Sequence, residues 1–330
     1  MELQHKRIVV TGGAGFIGSH LVDALVQQGN DVIVIDDLSA GHKENLLLSL
    51  GKHCELQVAD ICDRPRMLEL FKGADIVFHL ATQCLRVSLN DPWLTHDVNA
   101  TGALSVLDAA RENKVQRFVY VSSSEIYGTA LTVPMTEDHP KEPLTIYGAS
   151  KLTGELYTNA YHRTYGLPTV VIRPFNTYGP REHAEGKHAE VIPRFYTLLR
   201  KQLPVTVFGD GNQTRDFLFV ADTVRGLLAA ASSDAFVGDT VNIARGEEVS
   251  ILAIAEKLAA LLKVPLKVRH LAPRPGDVLR HWASAEKAKR MLGFAPQYGI
   301  DRGLSEYVAW CKASGIDWDA LATSLSDTNW

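Results

Sequence analysis

Tyr147 and Lys151 stand four residues apart in Tyr147-Gly148-Ala149-Ser150-Lys151. On a helix that spacing puts both side chains on one face. A free phenol has a pKa near 10 and is a poor base at neutral pH. An ammonium beside it stabilises the phenolate and draws that pKa toward the working range. The run Val121-Ser122-Ser123-Ser124-Glu125-Ile126-Tyr127-Gly128 closes an apolar stretch of β type. The carboxyl ends of parallel strands are where such sheets bind ligands. A serine hydroxyl there would complete a hydrogen-bonded triad on a substrate alcohol.

A second group sits near the amino end. Thr11-Gly12-Gly13-Ala14-Gly15-Phe16-Ile17-Gly18 reads as G-x-G-x-x-G and as G-x-x-G-x-x-G, between an apolar strand and a helix. Glycines there allow a tight turn, let a pyrophosphate approach the backbone and let helix pack on strand. The helix end, with its free N–H groups, then holds the phosphates. Asp36 closes the next apolar run, 18 residues after Gly18. A carboxylate at that point accepts from an adenosine ribose and repels a 2′-phosphate, which favours NAD over NADP.

These residues need a scaffold, and the hydrophobic periodicity supplies one. Strands are expected at Arg7 to Thr11, Asp31 to Asp36, Glu55 to Val58, Asp75 to Leu80 and Arg117 to Val121. Helix-length segments separate them, including Phe16 to Gln28 and a long one from about Asp91 to Asn113, with Pro92 in its first turn. That alternation predicts an α/β fold, a Rossmann-type doubly wound parallel sheet with helices on both faces. After Pro174 the rhythm breaks. Short strands are expected at Val205 to Phe208, Phe217 to Val220 and Val241 to Ala244, and helices at Val220 to Ala231 and Ile251 to Leu262. The division expected is a dinucleotide-binding domain over 1–174 and a smaller mixed α/β substrate domain over most of 175–330. The chain is expected to re-enter the sheet near 217–245.

The 330 residues are 46% hydrophobic and carry a net charge of −4, which argues against a dedicated nucleic-acid binder. No apolar run has the length of a membrane span, and the amino terminus lacks the apolar region and cleavage site of a secretory signal. Cys54, Cys62, Cys84 and Cys311 show neither C-x-x-C pairing nor metal-ligand spacing, so four reduced thiols in a cytoplasmic protein are expected. Glu182, His183, Glu185 and His188 form a polar cluster whose spacing is not that of a zinc helix. It reads as a substrate-gating or solvent loop, with no metal.

Taken in order, these motifs resemble the extended short-chain dehydrogenase/reductase family, in particular its nucleotide-sugar epimerases and dehydratases. The resemblance covers almost the whole chain. It also rests on Asp60-Ile61, His79-Leu80-Ala81, Arg173-Pro174-Phe175-Asn176, Gln213-Thr214-Arg215-Asp216-Phe217 and Arg274-Pro275-Gly276-Asp277. It implies that Gly12, Gly15, Phe16, Ile17, Gly18 and Asp36 hold NAD, with Asp60 and Ile61 at the adenine. Leu80 and Ala81 would line the cofactor cleft, and Asn99 would lie beside it. Ser123, Tyr147 and Lys151 would be catalytic. Asn176, Arg215 and Arg274, with Ser124 nearby, would hold the substrate's nucleotide diphosphate, since arginines clamp phosphates through charge-assisted bonds.

The resemblance further implies a transient 4-keto sugar. Glu125 stands where dehydratases keep the base for the C5 proton, so the reading leans to a 4,6-dehydratase. Ser124 stands where glucose-nucleotide dehydratases usually carry an aspartic acid, which keeps a 4-epimerase as the alternative. A UDP-glucuronate decarboxylase ranks third. A silent NAD-binding module is remote, because the Tyr and Lys are both present. A homodimer is expected through a four-helix bundle built from the helices near 91–113 and after Tyr147, with Leu104, Val106 and Leu107 shared between core and interface.

Overall fold

The computed structural model describes residues 1–328. Within them, strands β1 (Arg7–Thr11), β2 (Asp31–Asp36), β3 (Cys54–Val58), β4 (Ile76–His79), β5 (Arg117–Val121), β6 (Thr169–Pro174) and β7 (Thr240–Ile243) form one sheet. Its order is β7-β6-β5-β4-β1-β2-β3, and every pairing is parallel. Parallel strands covered on both faces must be apolar throughout. Accordingly, Ile8 and Val10 pack with Leu21 and Leu25 on one side, while Val9 packs with Val77, Val106 and Leu107 on the other. β6, a β-branched run of Thr169-Val170-Val171-Ile172, escaped the hydrophobic-period reading because Arg173 and Pro174 follow it directly.

The helix α1 (Phe16–Gln27) follows the glycine loop, and α2 (Ile146–Tyr165) begins under the Thr145 side chain, which accepts from the Gly148 N–H at 3.1 Å. Gly154 lets α2 lie close on β5, for a Cβ there would run into the Tyr120 side chain. The expected helix from Asp91 is helical but not uniform. It runs as α over Pro92–His96, makes a π-type turn over Asp97–Gly102 and resumes as α over Ala103–Glu112. Such π turns cluster at functional sites.

Past β6 the chain builds a second core around Tyr196, Tyr307 and Trp318, on helices Val191–Arg200, Ile300–Ala313 and Trp318–Ser324. A parallel pair, Val205–Phe208 with Val268–Leu271, lies beside it. The chain returns to the main sheet through helix Val220–Ser232 and β7, the latter on the edge beside β6. The strand expected from Phe217 is shorter, Leu218–Phe219, and pairs with Thr177–Tyr178 instead of the main sheet.

Candidate active site

A cavity of about 420 Å³ opens where β1 and β4 lie side by side, the point at which the strand order reverses. In open α/β sheets that reversal leaves a crevice at the strands' carboxyl ends.

The glycine loop forms one end of it. Gly12 has φ +70°, and a Cβ there would lie 2.6 Å from the Ala81 backbone nitrogen, so the turn after β1 closes on the segment after β4 only with glycine. A Cβ on Gly18 would overlap the Gly12 carbonyl. No side chain caps α1 at Gly15, and no acidic residue stands in its first turn. The N–H groups of that turn, with their partial positive charge, are thus open to an anion. Asp36 accepts from the Ala14 and Leu38 N–H groups, each at 2.9 Å. Burial raises its pKa, against those two bonds. Asp60 and Ile61 complete this end. The uncapped helix, the glycine cradle and the rim carboxylate fit a dinucleotide with a free ribose 2′-hydroxyl.

Ser123, Glu125, Tyr147 and Lys151 meet at the middle of the cavity. Burial pushes the Tyr147 phenol up, against the pull of the Ser123 hydroxyl, and Glu125 adds to the rise. Burial brings Lys151 down to about 7, opposed by Glu155. The Lys151 ammonium lies 4.7 Å from the centre of the Tyr120 ring, whose hydroxyl donates to the Lys151 carbonyl at 3.1 Å. One turn beyond, Glu155 is buried against Arg173, which also donates to the Tyr127 hydroxyl at 2.6 Å. Glu125 sits on the short 3₁₀ turn Ser124–Tyr127. Burial raises its carboxyl, and Arg215 and Arg274 partly offset this. Among the described residues its carboxylate has no hydrogen-bond partner. His281 lies 2.9 Å from the Ser124 carbonyl through Nε2, which must carry the proton to donate there, and burial brings the ring down to about 3.

At the far end Arg215 donates to Asp277 at 2.6 Å and Arg274 to the same oxygen at 2.7 Å. Arg215 also donates to the Thr214 and Val278 carbonyls at 2.8 Å each. The Asn176 side-chain oxygen is buried without a partner among the described residues, as is Arg274 Nε.

Of the positions read from sequence, only Asn99 fails to line the cavity. It sits in the π turn, 1% exposed. Its oxygen accepts from Thr82 Oγ1 at 2.9 Å and the Gln83 N–H at 2.7 Å, and its amide donates to Ser150 at 3.0 Å. It fixes the loop after β4 from behind.

The structure bears on one of the two readings of the 182–190 segment. Glu182 is buried and accepts from the Gly179 N–H at 3.2 Å, while His183, His188 and Glu190 form cavity wall, so this is not a solvent loop. Sequence reasoning gave no site role to Cys84, Arg86, Glu190, Asp277 and His281. Only Asp277 carried a signal, its three-residue distance from Arg274. The others lie in segments without periodicity.

A doubly wound sheet with a dinucleotide cradle at its switch point and a Tyr–Lys pair beside it defines a nicotinamide-dependent enzyme of the short-chain dehydrogenase/reductase class. The chain belongs to the NAD dependent epimerase/dehydratase family, whose model matches residues 8–244. It is 36% identical over 311 residues to the UDP-glucose 4-epimerase of Mycolicibacterium smegmatis, covering 93% of this chain and 98% of that one. An epimerase structure from Methanothermobacter thermautotrophicus aligns with TM-score 0.91 at 35% identity, covering 98% of this chain and 96% of the other. The dTDP-glucose 4,6-dehydratase DesIV of Streptomyces venezuelae, solved with NAD bound, aligns with TM-score 0.90 at 32% identity, over 96% of this chain and 99% of that one. NAD is the cofactor.

Proposed function

We propose that the protein converts a nucleotide-diphosphate sugar through a transient 4-keto sugar, as a 4,6-dehydratase. The observation that carries this reading is Glu125: an unpartnered carboxylate, raised by burial, in the same wall as Tyr147 and Ser123. Bound NAD supplies a reversible hydride acceptor for the sugar carbon. Tyr147 takes the proton of the 4-hydroxyl, which Ser123 orients, and the Lys151 charge stabilises the phenolate that must form first. Arg215, Arg274 and Asn176 hold the diphosphate and fix the sugar's depth in the cleft. A 4-ketone acidifies the neighbouring C5–H, and Glu125 takes that proton, which permits loss of the 6-hydroxyl.

A 4-epimerase is the second reading. It is favoured by Ser124, which offers no carboxylic acid beside Glu125, and by the M. smegmatis relative. The deciding experiment incubates the enzyme with UDP-, dTDP-, GDP- and CDP-sugars and analyses products by mass spectrometry and NMR. Loss of water means dehydration, unchanged mass with altered ring couplings means epimerisation, and loss of carbon dioxide means decarboxylation. Glu125→Gln should slow water loss on the order of 10²–10⁴ while leaving the initial absorbance rise of NADH intact. Tyr147→Phe should abolish that rise. Near-wild-type turnover by Glu125→Gln would leave the epimerase reading standing.

The same reading includes a homodimer. Leu104 is 39%, Leu156 58% and Trp93 77% exposed on the two helices concerned, apolar surface suited to a bundle with a second copy. Val106 and Leu107, expected to share in that interface, are instead fully buried in the core. Leu156→Glu should lower the mass seen by light scattering.

A further inference from the structure

The dehydratase reading leaves one role unfilled. The 6-hydroxyl must leave as water and needs a proton, yet Ser124 is a poor acid and Glu125 is the base. Directly after β4, the loop that Asn99 fixes carries Cys84 into the cavity wall that also holds Tyr147 and Glu125. Its sulfur lies 3.7 Å from His188 Nδ1. Two residues on, Arg86 is 8% exposed and reaches back across the same 182–190 segment. It donates to Glu190 at 3.1 and 2.6 Å and to the His188 carbonyl at 2.8 Å. The thiol thus lines the same cavity as Tyr147 and Glu125, against a ring nitrogen of a segment that the Arg86 guanidinium also binds.

We propose that Cys84 is the general acid that protonates the departing 6-hydroxyl. This rests on the dehydratase reading above. Glu125 takes the C5 proton as the electrons form the enolate of the 4-ketone. The enolate collapses to a C5=C6 double bond and the C6–O bond breaks. The oxygen takes its second proton from Cys84 Sγ and leaves as water, and Cys84 becomes a thiolate.

The proton count closes. Tyr147 has gained the 4-hydroxyl proton, which the product ketone never takes back, and Cys84 has lost one. One proton released from Tyr147 to solvent and one taken up by Cys84 restore both groups with no net change, and Glu125 returns its proton to C5 when the double bond is reduced with the hydride first taken from C4. The surroundings suit the thiol to this task. Burial raises its pKa, but Arg86, the His188 contact and the Val87 N–H together outweigh burial, while Glu190 works against them, and the net direction is down. A thiol that ionises nearer neutrality is a better proton donor than a hydroxyl, and a nearby guanidinium steadies the thiolate it leaves.

The test uses the NAD-loaded enzyme in deuterated water with the panel sugar that the wild type dehydrates, comparing Cys84→Ala and Cys84→Ser. Both variants should lose water on the order of 10²-fold or more slowly. They should still oxidise the sugar, and recovered substrate should carry deuterium at C5, because Tyr147 and Glu125 are untouched. Glu125→Gln should show the reverse, oxidation without C5 exchange. Water loss within about threefold of wild type in Cys84→Ala would overturn the proposal, a range well below the loss a general acid gives. Loss of C5 exchange together with water loss would also overturn it, since that marks a packing role. If the wild type epimerises every panel sugar it converts and dehydrates none, the dehydratase reading itself fails and the proposal falls with it.

Discussion

At one end of the cleft Gly12, Gly15 and Gly18 present backbone to the ligand, within a single strand–turn–helix over Arg7–Gln27. At the other, Arg215 comes from a two-residue strand, Arg274 and Asp277 from a loop, and Cys84, His188 and Glu190 from two further segments. The first end recognises a pyrophosphate by shape and by a helix terminus, groups that every sequence possesses once glycine allows access. The second, on the proposed function, would recognise its ligand by charge and proton chemistry, which only particular side chains supply. A backbone site fails when something is added. A side-chain site fails when something is removed.

The sharpest contrast should come from deleting a charge at the sugar end. Arg215→Ala should weaken binding of UDP or dTDP on the order of 10²-fold by calorimetry, since charge-assisted bonds are each worth about 1.5–3 kcal/mol. Affinity for NAD should stay as it is. At the other end, adding one methyl by Gly12→Ala should do the converse. The new Cβ meets the Ala81 backbone, and the positive φ disfavours it, at a cost of about 1–3 kcal/mol. NAD affinity and Tm should both fall, while nucleotide diphosphate still binds to folded protein.

Lys151 lies between the two ends and tests the seam. Its folded pKa of about 7 lies below the ordinary lysine value of 10.5, so between those values the unfolded chain binds more protons than the folded one. Stability of nucleotide-free protein should therefore rise with pH across that window, this group contributing at most about 1.4 kcal/mol per pH unit. Lys151→Met should remove that slope in urea titrations and raise the midpoint at neutral pH, with turnover lost. Smallest of all, Asp36→Asn should narrow the preference for NAD⁺ over NADP⁺ about tenfold, roughly 1.4 kcal/mol, in a binding titration. Tighter binding of NADP⁺ by the wild type would contradict the role given to Asp36.

The same contrast explains what could be read from the sequence. β1, β2 and β5 have the expected limits because they are short apolar runs bounded by turns, and Tyr147 and Lys151 share a helix four residues apart. Asn99 shows the limit: its position on the long helix was legible, but the π turn that directs its side chain to Gln83 and Ser150 leaves no mark in the hydrophobic period. His188 and Cys84 are 104 residues apart. Their meeting depends on how the 182–190 segment folds back over the loop after β4. No local spacing encodes that.

Asp277 gives the sugar end one further property. Because its carboxylate bridges Arg215 and Arg274, the protein carries its own competitor for the cationic pocket. On the proposed function, an anion that engages both guanidinium groups would compete with a tethered rival whose effective concentration is high. A single negative charge gains little by that exchange, whereas a diphosphate, engaging both guanidinium groups at once, gains enough to complete it. When chemistry is over the tethered carboxylate is ready to retake the arginines. On that reading the pocket should be selective on entry and quick to clear, and inorganic sulfate or acetate should inhibit it weakly.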